Sequence, residues 1–337
     1  MWAKHPFLDD LYEEAMKTHA RTYDADWKQR LISQFQGSLG QFSSMEPLQA
    51  EILEETKKDG YTRYSIEITT LPSLRMQMYV LIPNDKIGQR YPAVLALHGH
   101  GYGNKDIVGI NVDGTERDGD PGYHQDFAVE LVKRGMVVAV PELIGFGERR
   151  YTPGYTPEKM EDNSCYSIAS QLLLFGKTIA GLRIFECRRV LDYLETREIV
   201  DSGKIGCMGI SGGGLVAAFT SVLDNRISAT VVSGYTNIFQ GSIMARRHCL
   251  DNYIPGILQY AEMPELIGLL VPRPLFIEAG NADPLFPKKH VKIASEIIID
   301  IYKGFGAGKL VTTHFFEGGH EINGEKSYDW LRDQISQ

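Results

Sequence analysis

The amino-acid sequence predicts an α/β protein with a mostly parallel central sheet and helices on both faces. Short apolar runs, such as residues 93–97 and 136–140, alternate with helix-compatible stretches along much of the chain. Short buried strands separated by helices are typical of a parallel sheet that is covered on both sides. Of the 337 residues, 43% are apolar and 23% are charged, which excludes collagen-like and wholly disordered chains.

The first 58 residues are expected to form an N-terminal helical arm. Phe7, Leu8 and Leu11 recur at helical spacing among acidic and basic residues. Such an arm packs either on its own domain or on a second subunit, so it offers a route to a homo-oligomer. No long polar linker divides residues 59–337, which we therefore expect to form one domain.

Within that domain, the pattern predicts an opening β-hairpin followed by alternating strands and helices. The predicted strands cover residues 61–70, 75–82, 93–97, 136–140, 204–210, 229–232, 275–279 and 310–316. The predicted helices cover residues 126–134, 168–197, 212–223, 287–302 and 323–335. The long helix is interrupted only by Gly176 and Gly181. The hydrophobic residues in 145–167 and 235–268 show neither helix nor strand periodicity, and we interpret these two segments as insertions.

Composition narrows the possible partners and the cellular location. The formal charge of −8 argues against a general nucleic-acid binder. The N-terminus lacks the basic start and apolar core of a signal peptide, and no window holds 18 apolar residues. We therefore expect no membrane span and a cytoplasmic location.

The four cysteines indicate neither a disulfide framework nor a metal motif. None of Cys165, Cys187, Cys207 and Cys249 forms a C-x-x-C pair with another. Buried, reduced thiols are the expectation, and neither a metal nor an organic cofactor is expected.

The strongest local motif is Gly209-Ile210-Ser211-Gly212-Gly213, a G-x-S-x-G between a predicted strand and a predicted helix. On such a sharp turn, a side chain two residues before or after the serine would clash, and glycine at 209 and 213 removes both. The turn lifts the Ser211 oxygen out of the sheet and aims the Gly212 N–H at the same point. The motif therefore predicts a nucleophilic serine.

A nucleophilic serine needs a base and an acid that orients the base. His320 lies on a loop just after the predicted strand 310–316, where its ring can reach the nucleophile. Asp283 follows the predicted strand 275–279, so the residues occur in the order Ser, Asp, His. Glu278 is the competing carboxylate, but it lies inside that strand and is expected to point into a neighbouring layer.

The oxyanion that forms during acyl transfer needs two N–H donors. Gly212 supplies one, and the turn after strand 93–97 should supply the other. We predict the His100 backbone N–H, with Gly101 as the next choice. The side chains of His98 and His100 either order this turn or contact substrate, and ordering is the favoured interpretation.

The two insertions are expected to form the wall of the substrate pocket. Phe146 and Tyr235 are the leading candidates for substrate contacts there. Further candidates are the aromatic residues Tyr151, Tyr155, Phe239 and Tyr253.

In order and context, these motifs resemble the α/β-hydrolase superfamily over about residues 60–337. The residues on which this resemblance rests are 98–101 (HGHG), the turn 209–213, Asp283 and His320-Glu321. A closer resemblance, to acetyl xylan esterase-like and dienelactone-hydrolase-related proteins, lies in residues 206–214 (GCMGISGGG), 272–287 (PRPLFIEAGNADPLFP) and 319–321 (GHE). The resemblance implies hydrolysis of carboxylic esters, often small acyl groups on a sugar or similar alcohol.

Two departures from the resembled families leave the substrate open. Carbohydrate deacetylases carry an Arg-Gly-Gln motif before the nucleophile, whereas the comparable residues 141–149 read PELIGFGER. Dienelactone hydrolases use a cysteine nucleophile, whereas this chain has Ser211. The expected activity is a serine-dependent esterase acting on a small-molecule ester.

Two rival functions are weaker. A prolyl-oligopeptidase-type peptidase normally adds a large propeller domain, for which 337 residues leave no room. A non-catalytic binding protein with a hydrolase fold would tend to lose one member of the triad.

Overall fold

The computed structural model of the protein describes residues 5–19, 22–85, 90–151 and 163–336. Its helices are α1 (Pro6–Thr18), α2 (Ala25–Leu39), α3 (Phe127–Lys133), α4 (Cys165–Leu173), α5 (Ile179–Glu195), α6 (Gly212–Leu223), α7 (Met263–Gly268), α8 (Lys288–Gly304) and α9 (Ser327–Ser336). Its strands are β1 (Glu51–Lys58), β2 (Tyr61–Leu71), β3 (Leu74–Pro83), β4 (Tyr91–Leu97), β5 (Val137–Pro141), β6 (Val200–Ile210), β7 (Ile227–Ser233), β8 (Leu275–Gly280) and β9 (Val311–Phe316). In these ranges, no helix combines the length and the apolar character needed to cross a membrane.

One sheet organises the described chain, with the strand order β1-β2-β3-β5-β4-β6-β7-β8-β9. The pairs β1–β2, β2–β3 and β3–β5 are antiparallel. Every pair from β5–β4 through to β8–β9 is parallel. The predicted mostly parallel sheet and its opening hairpin are therefore confirmed.

Each face of the sheet is covered by its own hydrophobic core, because successive side chains of a strand point to opposite faces. Leu95 of β4 belongs to one core, together with side chains of α2, α5, α6, α7 and α8. Its neighbours Val94 and Ala96 belong to the other core, with α3 and α9. The prediction of helices on both faces is confirmed.

The N-terminal helices differ in how deeply they pack. Helix α2 buries Trp27, Leu31, Phe35 and Leu39, and the Phe35 ring meets Phe219 of α6 edge-on, with 4.8 Å between ring centroids. Helix α1 has no buried residue. The second helix of the arm is therefore part of the main core.

The helical prediction for residues 1–58 is wrong beyond Leu39. Residues 51–58 form strand β1, which pairs antiparallel with β2 from Glu51–Glu67 to Lys58–Tyr61. The segment EILEETKK has high helix propensity, but pairing with an available sheet edge overrides that local preference. Its charged side chains suit an exposed edge strand.

The single long helix predicted over residues 168–197 is also wrong, because the chain forms two helices there. Gly176 has φ +65° in the turn after α4. The Thr178 hydroxyl then accepts a hydrogen bond from the Gly181 N–H at 2.9 Å and caps α5. Gly181 itself lies inside α5, where a Cβ would come within 2.4 Å of the Leu39 carbonyl oxygen. The glycine therefore permits close packing and does not break the helix.

We expect Phe35→Ala to lower the free energy of unfolding by about 3–5 kcal/mol, because it opens a cavity between α2 and α6. The matched control is Phe7→Ala, since Phe7 is 61% exposed on α1. The control should change stability by less than about 0.5 kcal/mol. Urea titration followed by circular dichroism measures both effects, and light scattering checks the oligomeric state. Equal losses for the two variants would contradict the integration of α2 into the core.

Candidate active site

Four strands of the parallel part of the sheet, β4, β6, β8 and β9, have their carboxyl ends at one edge of the sheet. Ser211 follows β6, residues 98–101 follow β4, Asp283 comes shortly after β8, and His320 comes shortly after β9. Because all four strands run parallel, their following turns lie at the same edge. The sheet therefore brings together segments that are up to about 220 residues apart in the chain.

The Ser211 turn is held by close backbone contacts. A Cβ on Gly209 would come within 2.2 Å of the Gly213 carbonyl oxygen, and one on Gly213 within 2.2 Å of the Leu97 carbonyl oxygen. Ser211 has φ +57° and ψ −125°, a conformation that costs a non-glycine residue about 1–3 kcal/mol. The Ser211 N–H donates to the Ser233 carbonyl at 3.0 Å, so the turn is fixed to β7 as well.

Asp283 and His320 form a hydrogen-bonded pair, with 2.8 Å between Asp283 Oδ2 and His320 Nδ1. The other carboxylate oxygen accepts hydrogen bonds from the N–H groups of Leu285 and Phe286, at 2.7 and 3.0 Å. Asp283 is buried, so these contacts fix its direction. A proton on Nδ1 faces the carboxylate and leaves Nε2 as the free acceptor of the ring.

The loops that carry this pair are bonded to each other. The Asn281 N–H donates to the Phe316 carbonyl at 2.8 Å, and the Ala282 N–H donates to the Gly318 carbonyl at 2.9 Å. A Cβ on Gly280 would come within 2.0 Å of the Gly319 carbonyl oxygen. The spacing between the Asp283 carboxylate and the His320 imidazole is therefore set by the backbone.

Two aromatic rings stack against the His320 ring. Tyr123 and Phe286 stack on it, each with a centroid distance of 5.7 Å, at interplanar angles of 27° and 21°. Nε2 of His320 is buried and has no hydrogen-bond partner among the described residues. The histidine lines the same cavity as Ser211. The arrangement leaves Nε2 available to a hydroxyl in that cavity.

Glu278 is also buried, but it is used as a structural anchor. Its two carboxylate oxygens accept hydrogen bonds from the Ser233 and Ser327 hydroxyls and from the Asn323 and Gly324 N–H groups, at 2.8–3.2 Å. These donors belong to β7, to the loop after His320 and to the first residue of α9. Glu278 thus ties the histidine loop to the sheet, in line with the expectation that it points into a neighbouring layer.

The turn after β4 is ordered by two buried histidines. The His98 ring bonds the Gly99 carbonyl through Nδ1 at 2.8 Å, and its Nε2 accepts from the Leu143 N–H at 3.1 Å. His124 Nε2 accepts from the Gly99 N–H at 2.9 Å. Burial holds the pKa of His124 well below its ordinary value, so this ring is neutral and can accept. Gly99 N–H is therefore occupied, and His98 orders the turn.

The His100 side chain lies in a cluster with Cys165, Cys249 and Asp251. Burial disfavours the charged ring, but the Asp251 carboxylate and the Cys165 sulfur together raise the pKa of His100. The buried Arg183 donates to Asp251 Oδ2 at 2.7 Å and to Cys165 Sγ at 3.0 Å. A hydrogen bond from the Cys249 thiol and the charge of Arg183 hold the pKa of Cys165 below its ordinary value.

Ser211 lies in a cavity of about 700 Å³. Gly212, His100 and Tyr123 line its floor near the serine, and the walls include Asn163, Tyr166, Arg247, His248, Cys249, Leu250, Asn252, Tyr253, Leu285 and Phe286. Many of these wall residues come from the region predicted as the second insertion, which supports its expected place beside the site.

The two leading candidates for substrate contacts need correction, because neither lines this cavity. Phe146 is 1% exposed and packs edge-on against His98 and His100, with Arg183 over its ring. Tyr235 is also 1% exposed and packs against other aromatic side chains. Both are core residues beneath the site. Of the other aromatic candidates, Tyr253 lines the cavity, and Tyr155 lies outside the described residues.

Sequence reasoning missed Tyr123, His124 and Phe286. Tyr123 stacks on His320 and its hydroxyl donates to the His100 carbonyl. Tyr123 and His124 lie in a glycine-rich loop without a period, so the sequence held no signal for them. Phe286 follows Asp283 by three residues on a tight turn, and its proximity to the acid was the one available clue.

Comparison with known proteins agrees with this architecture. The Abhydrolase_7 model, described as an Abhydrolase family, matches residues 7–299. YtaP of Bacillus subtilis (strain 168), a protein named as a hydrolase, is 27% identical over 291 residues, covering 84% of this chain and 90% of that one.

Two solved structures are similar in fold at low sequence identity. A Bacteroides fragilis NCTC 9343 protein named as an acetyl xylan esterase superposes with a TM-score of 0.75 at 17% identity, covering 98% of this chain and 90% of that one. A glucuronoyl esterase from Solibacter usitatus superposes with a TM-score of 0.66 at 16% identity, covering 94% and 93%. Because the family model spans most of the sequence, the chain belongs to this Abhydrolase family and has the α/β-hydrolase fold.

Proposed function

We propose that the protein is a serine-dependent carboxylic ester hydrolase that works through an acyl-enzyme. The observation that carries the proposal is the Asp283–His320 pair: the 2.8 Å hydrogen bond uses Nδ1 and leaves Nε2 without a partner among the described residues, on a histidine that lines the same cavity as Ser211. A serine, an imidazole and a buried carboxylate in this relation form the constellation that activates a hydroxyl for acyl transfer.

The mechanism follows from the protonation states of the three groups. His320 Nε2 takes the Ser211 hydroxyl proton, and the serine oxygen attacks the carbonyl carbon of the ester. Asp283 keeps the other ring proton on Nδ1 and stabilises the imidazolium. The alcohol leaves with the proton from Nε2, and water then repeats the sequence on the acyl-enzyme.

The tetrahedral oxyanion is held by the backbone N–H groups of Gly212 and His100. Gly212 is the first residue of α6, where the helix dipole favours negative charge. Gly99 N–H is already bonded to His124, which leaves His100 N–H and, after it, Gly101 N–H as the next donors along the turn. Two N–H donors aimed at one point supply the stabilisation that the developing charge requires.

The proposed substrate is a small acyl ester, of the acetyl type, of a sugar or similar alcohol. The cavity is large enough for an alcohol of this size, and it combines the aromatic walls Tyr166, Tyr253 and Phe286 with polar groups such as Asn163 and Arg247. The esterase names of the two solved structures with this fold support the same class. A panel of p-nitrophenyl esters, acetylated xylo-oligosaccharides, glucuronate esters and lactones would rank the substrates.

Two expectations from the sequence stay predictions. One is the cytoplasmic location. The other is self-association through the N-terminal arm, which the exposed Phe7, Leu8 and Leu11 of α1 support.

Ser211→Ala should abolish the hydrolysis of p-nitrophenyl acetate, lowering kcat by roughly 10⁴–10⁶-fold, since it removes the nucleophile. Ser221→Ala is the matched control, because Ser221 is a buried serine of α6 that does not line the cavity. A fluorophosphonate probe, read by mass spectrometry, should label Ser211 in the wild type and in the control. Equal hydrolysis by wild type and Ser211→Ala would overturn the proposal. A wild type that neither hydrolyses nor labels would favour the binding-protein alternative.

Asp283→Asn should lower kcat by about 10⁴-fold with little change in fold, because an amide no longer selects the productive imidazole tautomer. Glu278→Gln should mainly lower stability, by about 1–3 kcal/mol. The substitution turns one carboxylate oxygen into an amide nitrogen, which cannot accept the hydrogen bonds that the oxygen accepts. The exposed Asp329→Asn on α9 serves as the control for charge removal. Steady-state kinetics and thermal melting separate the two effects. If Glu278→Gln loses more kcat than Asp283→Asn while remaining folded, Glu278 is the acid instead.

A further inference from the structure

The His100 ring belongs to a cluster of four side chains whose nitrogen, sulfur and oxygen atoms are of the kinds that bind transition metals. One ring nitrogen of His100, the sulfurs of Cys165 and Cys249 and a carboxylate oxygen of Asp251 all lie within 4.8 Å of one another. His100 Nε2 is 3.5 Å from Asp251 Oδ2, and it is buried without a hydrogen-bond partner among the described residues. An unpartnered buried nitrogen at such a position calls for a ligand.

We propose that these four residues bind one zinc ion in a closed, structural site beside the nucleophile turn. Zinc prefers four tetrahedral ligands drawn from thiolates, imidazoles and carboxylates, which is the donor set present here. Bond lengths of about 2.0–2.3 Å place tetrahedral ligand atoms about 3.3–3.8 Å apart. The cluster therefore needs to contract by about an ångström at its widest. Calcium and magnesium, which require oxygen ligands, do not fit.

The charge balance of the cluster favours this ion. Zinc binds cysteine as the thiolate and histidine as the neutral imidazole, so any protons that block these ligand atoms are released to solvent when the ion enters. The resulting two thiolates and the Asp251 carboxylate carry three negative charges, which zinc and the Arg183 guanidinium neutralise. Arg183 is 1% exposed and already donates to Cys165 and Asp251. Outer hydrogen bonds of this kind orient the ligands of metal sites.

The proposed ion would join three segments that are distant in the chain. His100 lies on the turn after β4, Cys165 begins α4, and Cys249 with Asp251 lies in the second insertion. A Cβ on Gly212 would come within 3.0 Å of His100 Cε1 and 3.4 Å of Asp251 Oδ2, so the cluster adjoins the nucleophile turn. Zinc would therefore fix the ring of the residue whose backbone N–H we propose as an oxyanion donor. All four positions are filled by protein, so the ion has no open site for water.

The experiment measures metal directly and does not depend on esterase activity. Tag-free protein, purified without chelator, should contain one zinc per chain by inductively coupled plasma mass spectrometry. Replacement by Co²⁺ should give thiolate-to-cobalt charge-transfer absorption and the intense visible bands of a tetrahedral ion. Zinc removal should lower the Tm, and zinc addition should restore it.

Cys249→Ser should weaken zinc affinity by more than about 100-fold, beyond the loss typical of an outer-shell partner. Cys249 is only half-buried, so this variant is expected to fold, which circular dichroism verifies. Cys187→Ser is the matched control, since Cys187 is a buried thiol of α5 outside the cluster. Stoichiometric zinc in the control and its loss in Cys249→Ser support the site. Unchanged zinc affinity in Cys249→Ser overturns the proposed site. A wild type that binds neither Zn²⁺ nor Co²⁺ also overturns it. So does a wild type that holds a Cys165–Cys249 disulfide under reducing conditions.

Discussion

The site depends on one close approach between two backbones. The Cα of Gly213 lies against the Leu97 and His98 carbonyl groups, where a Cβ would come within 2.2 and 2.4 Å of the two oxygens. That contact is possible only because β4 and β6 are parallel neighbours, with Leu97 beside Gly209 in register. It brings the turn that carries Ser211 level with the turn that carries His100. The placement of Ser211, Gly212 and His100 along one cavity follows from this spacing, which no larger residue at 213 would allow.

The local sequence was sufficient to predict the parallel part of the fold and the positions of Ser211, Asp283 and His320 in the turns and loops that follow strands. Short apolar runs mark buried strands well, and in a parallel sheet the residue after each strand falls at one common edge. The hydrogen bond between Asp283 and His320 then joins two loops that follow adjacent strands. For these three residues, knowing which strand each one follows is therefore enough to predict that they lie at the same edge of the sheet.

Other features depended on partners that a single segment does not reveal. Residues 51–58 have helical composition and form an edge strand because β2 offers unpaired groups there. Phe146 and Tyr235 are aromatic residues at the starts of irregular segments, where no period tells an inward side chain from one facing a pocket. The cluster of His100, Cys165, Cys249 and Asp251 comes from three segments, so no ligand spacing in the sequence announces it.

The buried carboxylate of Glu278 has a consequence for the dynamics of the site. It accepts hydrogen bonds from β7, from the loop after His320 and from the start of α9. Local opening of the histidine loop is therefore costly, because it would leave buried oxygens of Glu278 without hydrogen-bond donors and would loosen the start of the C-terminal helix as well. The imidazole belongs to the same cooperative unit as the core of the sheet. The backbone amides beside His320 should therefore exchange with solvent about as slowly as those of the core strands.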